Sequence, residues 1–184
     1  MLTVAGMLRV DSIRCIDLSN ARFQLSEEFA ILPIHRPKEK RGDQLIVWCL
    51  TIRRHEEPSL CPVATLIEYY SRIKDTPCSI PHPKEPRETY TPLVRNCKDL
   101  SLAASKDTIS NHAAAIGDKL VLPPGMKKPR GRATGSTAAF QAGAPVGDIV
   151  AYANWSSSVL FDKYYRLGSN TATNFTTAIL RKDK

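Results

Sequence analysis

The sequence predicts an α+β domain with a mostly helical body and a small antiparallel sheet near the N-terminus. Three observations carry this reading. Residues 29–35 and 44–52 are rich in Ile, Val, Leu, Phe and Trp, and they flank the polar run R-P-K-E-K-R-G-D. That is a β-hairpin pattern with Gly42 and Asp43 in the turn region. From residue 62 onward the apolar periodicity is helical, and the last third breaks into short helical stretches.

The elements follow in order. Residues 2–16 read as a first helix, with Val4, Met7, Leu8, Ile13 and Ile16 near one face. Residues 21–24 suit a short strand, and the hairpin follows. Pro58 to Pro62 introduces a helix whose apolar face is Val63, Leu66, Ile67, Tyr70 and Ile73. Residues 75–100 contain Pro77, Pro81, Pro83, Pro86 and Pro92 and read as a long Pro-rich surface loop within one domain. Residues 107–120 form a helix with Ile109, Ala113, Ile116 and Leu120 on one face, ended by Leu122-Pro123-Pro124-Gly125. Short helices are expected at about 134–142, 146–152 and 159–166, and a last one at about 171–180. Gly135, Ser136, Ala138 and Ala139 are small enough for close helix packing.

The chain has 184 residues, enough for a single domain with its own core. No stretch reaches the roughly 18 apolar residues of a membrane span, and the first residues do not read as a secretory leader. The five cysteines are odd in number and none form a CxxC pair, which argues against a disulfide framework or zinc ribbon. The four histidines show no metal-ligand spacing. A net charge of +8 favours a polyanionic partner. Arg36, Lys38, Lys40 and Arg41 crowd the hairpin, and Lys119, Lys127, Lys128, Arg130 and Arg132 crowd one loop and the start of the next helix. The plainer reading of both clusters is a solvated surface.

The end of the sequence carries the most chemistry. Arg132 opens R-A-T-G-S-T-A-A-F-Q-A-G, an otherwise small and apolar helix with no need of a charge. Trp155 follows in A-N-W-S-S-S, and Tyr164 and Tyr165 in F-D-K-Y-Y-R. Phosphoryl transfer needs positive charge on the non-bridging oxygens, a nucleophile held in line and a proton for the leaving oxygen. Arginine meets the first need with a planar, permanently charged fork. A tyrosine can be the nucleophile and a lysine the acid.

The stretch from Arg132 to Arg166 resembles the C-terminal signature of tyrosine recombinases, or integrases. The eleven-residue step from Arg132 to Gly143 and the further twelve to Trp155 match that family's spacing. Upstream, A-G-M-L-R-V-D-S-I-R-C-I-D-L-S is similar to the family's first arginine motif, and P-K-E-K-R-G-D to the hairpin bearing its lysine. The motifs P-K-E-K-R-G, L-C-P-V, N-W-S-S and F-x-x-Y-Y-R-L most resemble the Crypton-type recombinases of eukaryotic mobile elements.

The resemblance implies Arg9 and Arg132 as the phosphate clamp and Lys40 as the acid, with Lys38 its rival. It implies Trp155 as a hydrogen-bond donor to the phosphate. The F-x-x-Y-Y-R frame favours Tyr165 as nucleophile, and the commoner spacing after Trp155 favours Tyr164. Arg36, Lys38, Arg41, Lys127, Lys128 and Arg130 would bind the DNA backbone. The implied partner is double-stranded DNA, with no cofactor and no metal, in a homotetramer docked through residues 171–180 and located in the nucleus.

Two departures stand out. Pro129 occupies the slot where the family usually has histidine. Arg9 lies so near the start that the family's separate DNA-clamping domain is expected to be absent or carried on a missing upstream piece.

Overall fold

The computed structural model describes residues 1–41, 44–122, 124–125 and 128–164, apart from the side chains of 36–41, 44–46, 160 and 164. A three-stranded antiparallel sheet orders β1 (Gln24–Leu25), β2 (Phe29–Arg41) and β3 (Gln44–Arg53) with β2 in the middle. Alternation sets its faces: Ala30, Leu32 and Ile34 of β2 and Leu50 and Ile52 of β3 are buried on one side. The β2–β3 pairing runs from Phe29 opposite Arg53 to Arg41 opposite Gln44, with a register shift between Arg36 and Lys40. The expected hairpin is therefore formed; its turn at Gly42 and Asp43 lies outside the described residues.

The first helix is much shorter than expected. Residues 2–6 form turns, and α1 covers only Val10–Arg14. The cause is local. Met7 has φ 47, a left-handed conformation that ends any helix, and a Cβ on Gly6 would lie 2.8 Å from the Leu2 carbonyl oxygen. Beyond α1 the chain runs along the sheet: Asp17 N–H donates to Pro33 O at 3.0 Å and His35 N–H to Cys15 O at 3.1 Å.

The helix α2 (Pro62–Ile73) buries Val63, Leu66 and Ile73, while Ile67 and Tyr70 are half-buried. Residues 75–100 depart from the expected loop. They contain a β-hairpin, β4 (Ile80–His82) against β5 (Glu85–Tyr90). In a two-stranded ribbon both strands are edges, so Pro81 and Pro86 remove no necessary ladder bond. His82, Tyr90 and Leu93 anchor the hairpin inside the protein.

The helix α3 (Lys106–Gly117) is capped by Ser105, whose hydroxyl accepts from Thr108 N–H at 3.0 Å. Its apolar face is not the expected one. Ile109 is buried, but Ile116 and Leu120 are 64% and 49% exposed. Three short helices follow: α4 (Gly131–Gln141), α5 (Val146–Tyr152) and α6 (Ser158–Tyr164). The expected helix at 171–180 lies outside the described residues.

Two apolar clusters result. The larger joins the sheet to α1, α2 and α3 through residues such as Leu8, Ile16, Leu32, Ile34, Leu50 and Val63. The smaller holds Met7, Ile149, Ala153, Trp155 and Phe161. Cys15, Cys49 and Cys61 all lie in apolar runs that suggest a core role; Cys15 and Cys61 join the first cluster, whereas Cys49 on β3 is only half-buried. Among the described residues, no helix is long and apolar enough to cross a membrane.

Candidate active site

The site begins with how α4 and α5 end. Gly143, at φ 91, follows the last turn of α4; its N–H donates to Phe140 O, and Ala144 N–H donates to Ala139 O. That is a Schellman closure, and glycine adopts its left-handed position without strain. Pro145 then opens α5. The same closure ends α5, with Asn154 at φ 50 in the left-handed position. Asn154 N–H donates to Ala151 O at 3.0 Å and Trp155 N–H to Val150 O at 2.9 Å. The sequence A-N-W is thus a helix stop that turns Trp155 back into the protein.

Arg132 sits in the first turn of α4 and is buried, 6% exposed. Its Nη2 donates to Ala153 O at 2.6 Å, a carbonyl at the end of α5. Its guanidinium carbon is 5.0 Å from the centre of the Trp155 ring. Trp155 is stacked in turn on Phe161, with ring centres 5.8 Å apart and planes 24° from parallel. Phe161 is fully buried and also meets Phe140 at 5.7 Å. Three helix ends therefore fix one arginine and one tryptophan. A permanently charged fork aimed by buried neighbours is suited to an anionic group with two or more oxygens.

Arg9 caps the start of α1 with its carbonyl, which accepts from Ser12 N–H at 2.9 Å and Ile13 N–H at 3.0 Å. The residue is exposed. It follows directly on Met7 and Leu8, of which Met7 packs in the Trp155 cluster. Arg130 is exposed, and its carbonyl accepts from Thr134 N–H. Lys128 is ion-paired with Asp118, so its charge is partly neutralised in the free protein.

Sequence reasoning passed over two groups of residues. Tyr152 hydroxyl donates to Ala5 O at 2.9 Å across most of the chain length, and burial pushes its pKa up. No pattern marks it, because Y-A-N reads only as a helix end. The second group is buried beside the sheet. Burial works against the charge of Asp17, but hydrogen bonds from His35, Ser19 and Thr91 outweigh it and hold the carboxyl at about 2. The His35 and His82 rings lie 5.4 Å apart, and His82 meets Tyr90 edge-on at 4.9 Å. Desolvation, aided by His35 and Lys84, pulls His82 down to about 4. These groups are scattered in sequence: the segment after α1 sets Asp17 against His35 of β2, and the β4–β5 hairpin adds His82 and Tyr90.

Neither a family model nor a curated protein matches the sequence. Solved structures do match the fold. The XerA recombinase aligns over 100% of this chain and 57% of its own, at 16% identity and a TM-score of 0.60. The Tn1549 transposon integrase in complex with transposon right end DNA aligns over 97% of this chain and 56% of its own, at 12% identity and a TM-score of 0.57. The same integrase with a circular intermediate DNA gives a TM-score of 0.54 at 12% identity. The fold is that of the tyrosine recombinase catalytic domain. The chain spans a little over half the length of these recombinase structures.

Of the residues singled out from the sequence, Arg132 and Trp155 are in contact. Lys40 is placed only by its backbone, opposite Leu45 near the tip of the β2–β3 hairpin. Tyr164 is the last residue of α6, with its side chain outside the described set; Tyr165 and Lys127 lie outside the described residues, as do the side chains of Arg36, Lys38, Lys40 and Arg41.

Proposed function

We propose that the chain cleaves and rejoins double-stranded DNA through a covalent 3′-phosphotyrosine. The observation that carries this reading is Arg132, buried against Trp155 and aimed by the end of α5, on a fold shared with recombinases and integrases. Arg9 and Arg132 neutralise the non-bridging oxygens of the scissile phosphate, and the Trp155 indole N–H donates to one of them. The tyrosine oxygen attacks phosphorus in line as its phenolic proton passes to water. A P–O bond to the tyrosine forms as the P–O5′ bond breaks, and Lys40 delivers its proton to the departing 5′ oxygen. Attack by a 5′ hydroxyl reverses the step and frees the tyrosine. The ester conserves the energy of the phosphodiester, so rejoining needs no ATP.

Tyr165 is the nucleophile in this reading, with Tyr164 the rival. The basic residues Arg36, Lys38, Arg41, Lys127, Lys128 and Arg130 contact the backbone, which makes binding weaken with salt. Four copies act on two duplexes, docked through residues 171–180, in the nucleus, the setting implied by the resemblance of the motifs to Crypton-type recombinases.

A duplex nicked so that the short fragment bearing the new 5′ hydroxyl is lost on cleavage traps the covalent intermediate. The wild type and Tyr164→Phe are expected to give a protein–DNA adduct on a denaturing gel, and Tyr165→Phe none. The reverse pattern moves the nucleophile to Tyr164. An adduct that survives both substitutions sinks the tyrosine assignment.

A second reading is a DNA-binding protein that no longer cuts. Pro129 favours it, because a proline ring cannot accept the tyrosine proton as a histidine in that slot would. Specific DNA binding by the wild type with no adduct would support this reading.

A further inference from the structure

We infer that residues 1–8 are a positioning strap that sets Arg9 against Arg132 and Trp155, with Tyr152 as its anchor; the inference rests on the recombinase reading above.

The need for such a device follows from the two apolar clusters. Arg9 follows Leu8 of the sheet cluster, whereas Arg132 contacts Trp155 of the helical cluster. Between β3 and α5 runs an open groove of about 600 Å³, bordered by Trp48, Leu50, Arg53 and Tyr152. Packing along that line is therefore interrupted, and contacts elsewhere that bridge the two clusters bear on how the arginines sit relative to each other.

Residues 1–8 touch both halves. Met7 packs with Trp155 and Phe161, and the next residue, Leu8, packs with the sheet. Adjacent side chains reach two clusters because Met7 is left-handed, at φ 47. That conformation is costly for a residue with a side chain and persists only where its surroundings enforce it.

Three contacts enforce it. Tyr152, half-buried against both clusters, donates its hydroxyl to Ala5 O at 2.9 Å. Val4 lies directly on α4 at Gly135, where an added Cβ would overlap the Val4 carbonyl oxygen. Thr3 lies on Gly131 one turn earlier, where a Cβ would be 2.5 Å from the threonine hydroxyl. Gly131 and Gly135 flank Arg132 on the same helix. One short segment thus rests on the helix of the second arginine, inserts a side chain beside Trp155, and ends at the first arginine.

Tyr152 touches no substrate in this account; it acts through Ala5. The full 184-residue chain is assayed on the nicked duplex in single-turnover form, with DNA affinity and thermal unfolding measured alongside. Tyr152→Phe keeps the ring and removes only the hydroxyl. It is expected to bind DNA as the wild type does and to cleave about 10- to 100-fold more slowly, the scale of loss from a misplaced catalytic group. The same comparison is made with a methylphosphonate at the scissile position. That group is neutral, so a misaligned arginine costs less, and the defect of Tyr152→Phe should shrink. Gly135→Ala, which pushes Val4 off α4, should show the same pattern more strongly.

Tyr152→Phe cleavage at the wild-type rate, or an equal loss on both substrates, overturns the inference and leaves the function standing. A wild type that forms no adduct overturns the function, and the inference with it.

Discussion

Arg132 lies over the face of Trp155, 5.0 Å from its centre, while the same guanidinium donates to the carbonyl of Ala153 two residues before that tryptophan. The helix end and the ring therefore aim the arginine together. The hydrogen bond and the ring face hold the guanidinium from two directions. This explains how a charge can precede a run of Ala, Thr, Gly and Ser, residues 133–139, on one helix.

Trp155 should be more than a core residue. Trp155→Ala opens a cavity beside Phe161 and is expected to cost about 3–5 kcal/mol of stability. Trp155→Phe keeps most of the packing but loses the indole N–H and much of the cation–π attraction, on the order of 1 kcal/mol. A plain core role predicts that Trp155→Phe retains cleavage in proportion to its stability. The site described here predicts a cleavage defect in Trp155→Phe while the protein remains folded by circular dichroism, and the single-turnover assay decides between them.

Asn154 should matter through its backbone. It occupies the left-handed position of the α5 closure at φ 50. Asn154→Gly should be neutral or slightly stabilising in that conformation, and Asn154→Ala should lose about 1 kcal/mol. For a chain of this size that is a shift of about 2–4 °C in Tm. Equal melting temperatures for the two variants would show that the closure is not what holds Trp155 in place.

Much of this was legible in the sequence, and the rest was hidden for definable reasons. The β2–β3 hairpin, α2 and α5 followed from periodicity and proline placement, because each buries a single face. The first helix misled, since Val4, Met7 and Leu8 imitate a stripe, while Met7 and Leu8 belong to different clusters and Val4 is exposed. Residues 75–100 misled because prolines suppress the strand signal even where an edge ribbon tolerates them. In the site, Arg132 was visible as a charge in a small, apolar stretch, and Trp155 only through the family resemblance. Tyr152 was not, because its partner is the backbone of Ala5, and a carbonyl has no signature in sequence.

Lys40 should act on the leaving group and not on binding. Lys40→Ala is expected to lower the cleavage rate by about 100-fold or more, within the range of general acid catalysis. Replacing the bridging 5′ oxygen by sulfur gives a leaving group that needs no proton, and should restore the rate of Lys40→Ala. Lys38→Ala should respond to neither change. Rescue of Lys38→Ala in place of Lys40→Ala would move the role two residues along the hairpin.

Acid should weaken the fold in two steps. His82 is held at about 4 against an ordinary 6.5. Between those values the unfolded chain takes up a proton that the folded chain refuses, so stability falls as pH drops from 6.5 toward 4. Asp17 is held at about 2 against an ordinary 3.8, so a second loss follows between 3.8 and 2. One proton accounts for at most about 1.4 kcal/mol per pH unit. His82→Phe keeps a ring against Tyr90 but cannot titrate. It loses the hydrogen bond from Lys84 N–H to His82 Nδ1, a cost that is the same at every pH. Urea unfolding at pH 7, 5.5 and 4.5 should therefore show a shallower decline for His82→Phe than for the wild type. An equally steep decline in both would mean that the buried imidazole is not what acid attacks in this window, and that the β4–β5 hairpin stays anchored as the pH falls.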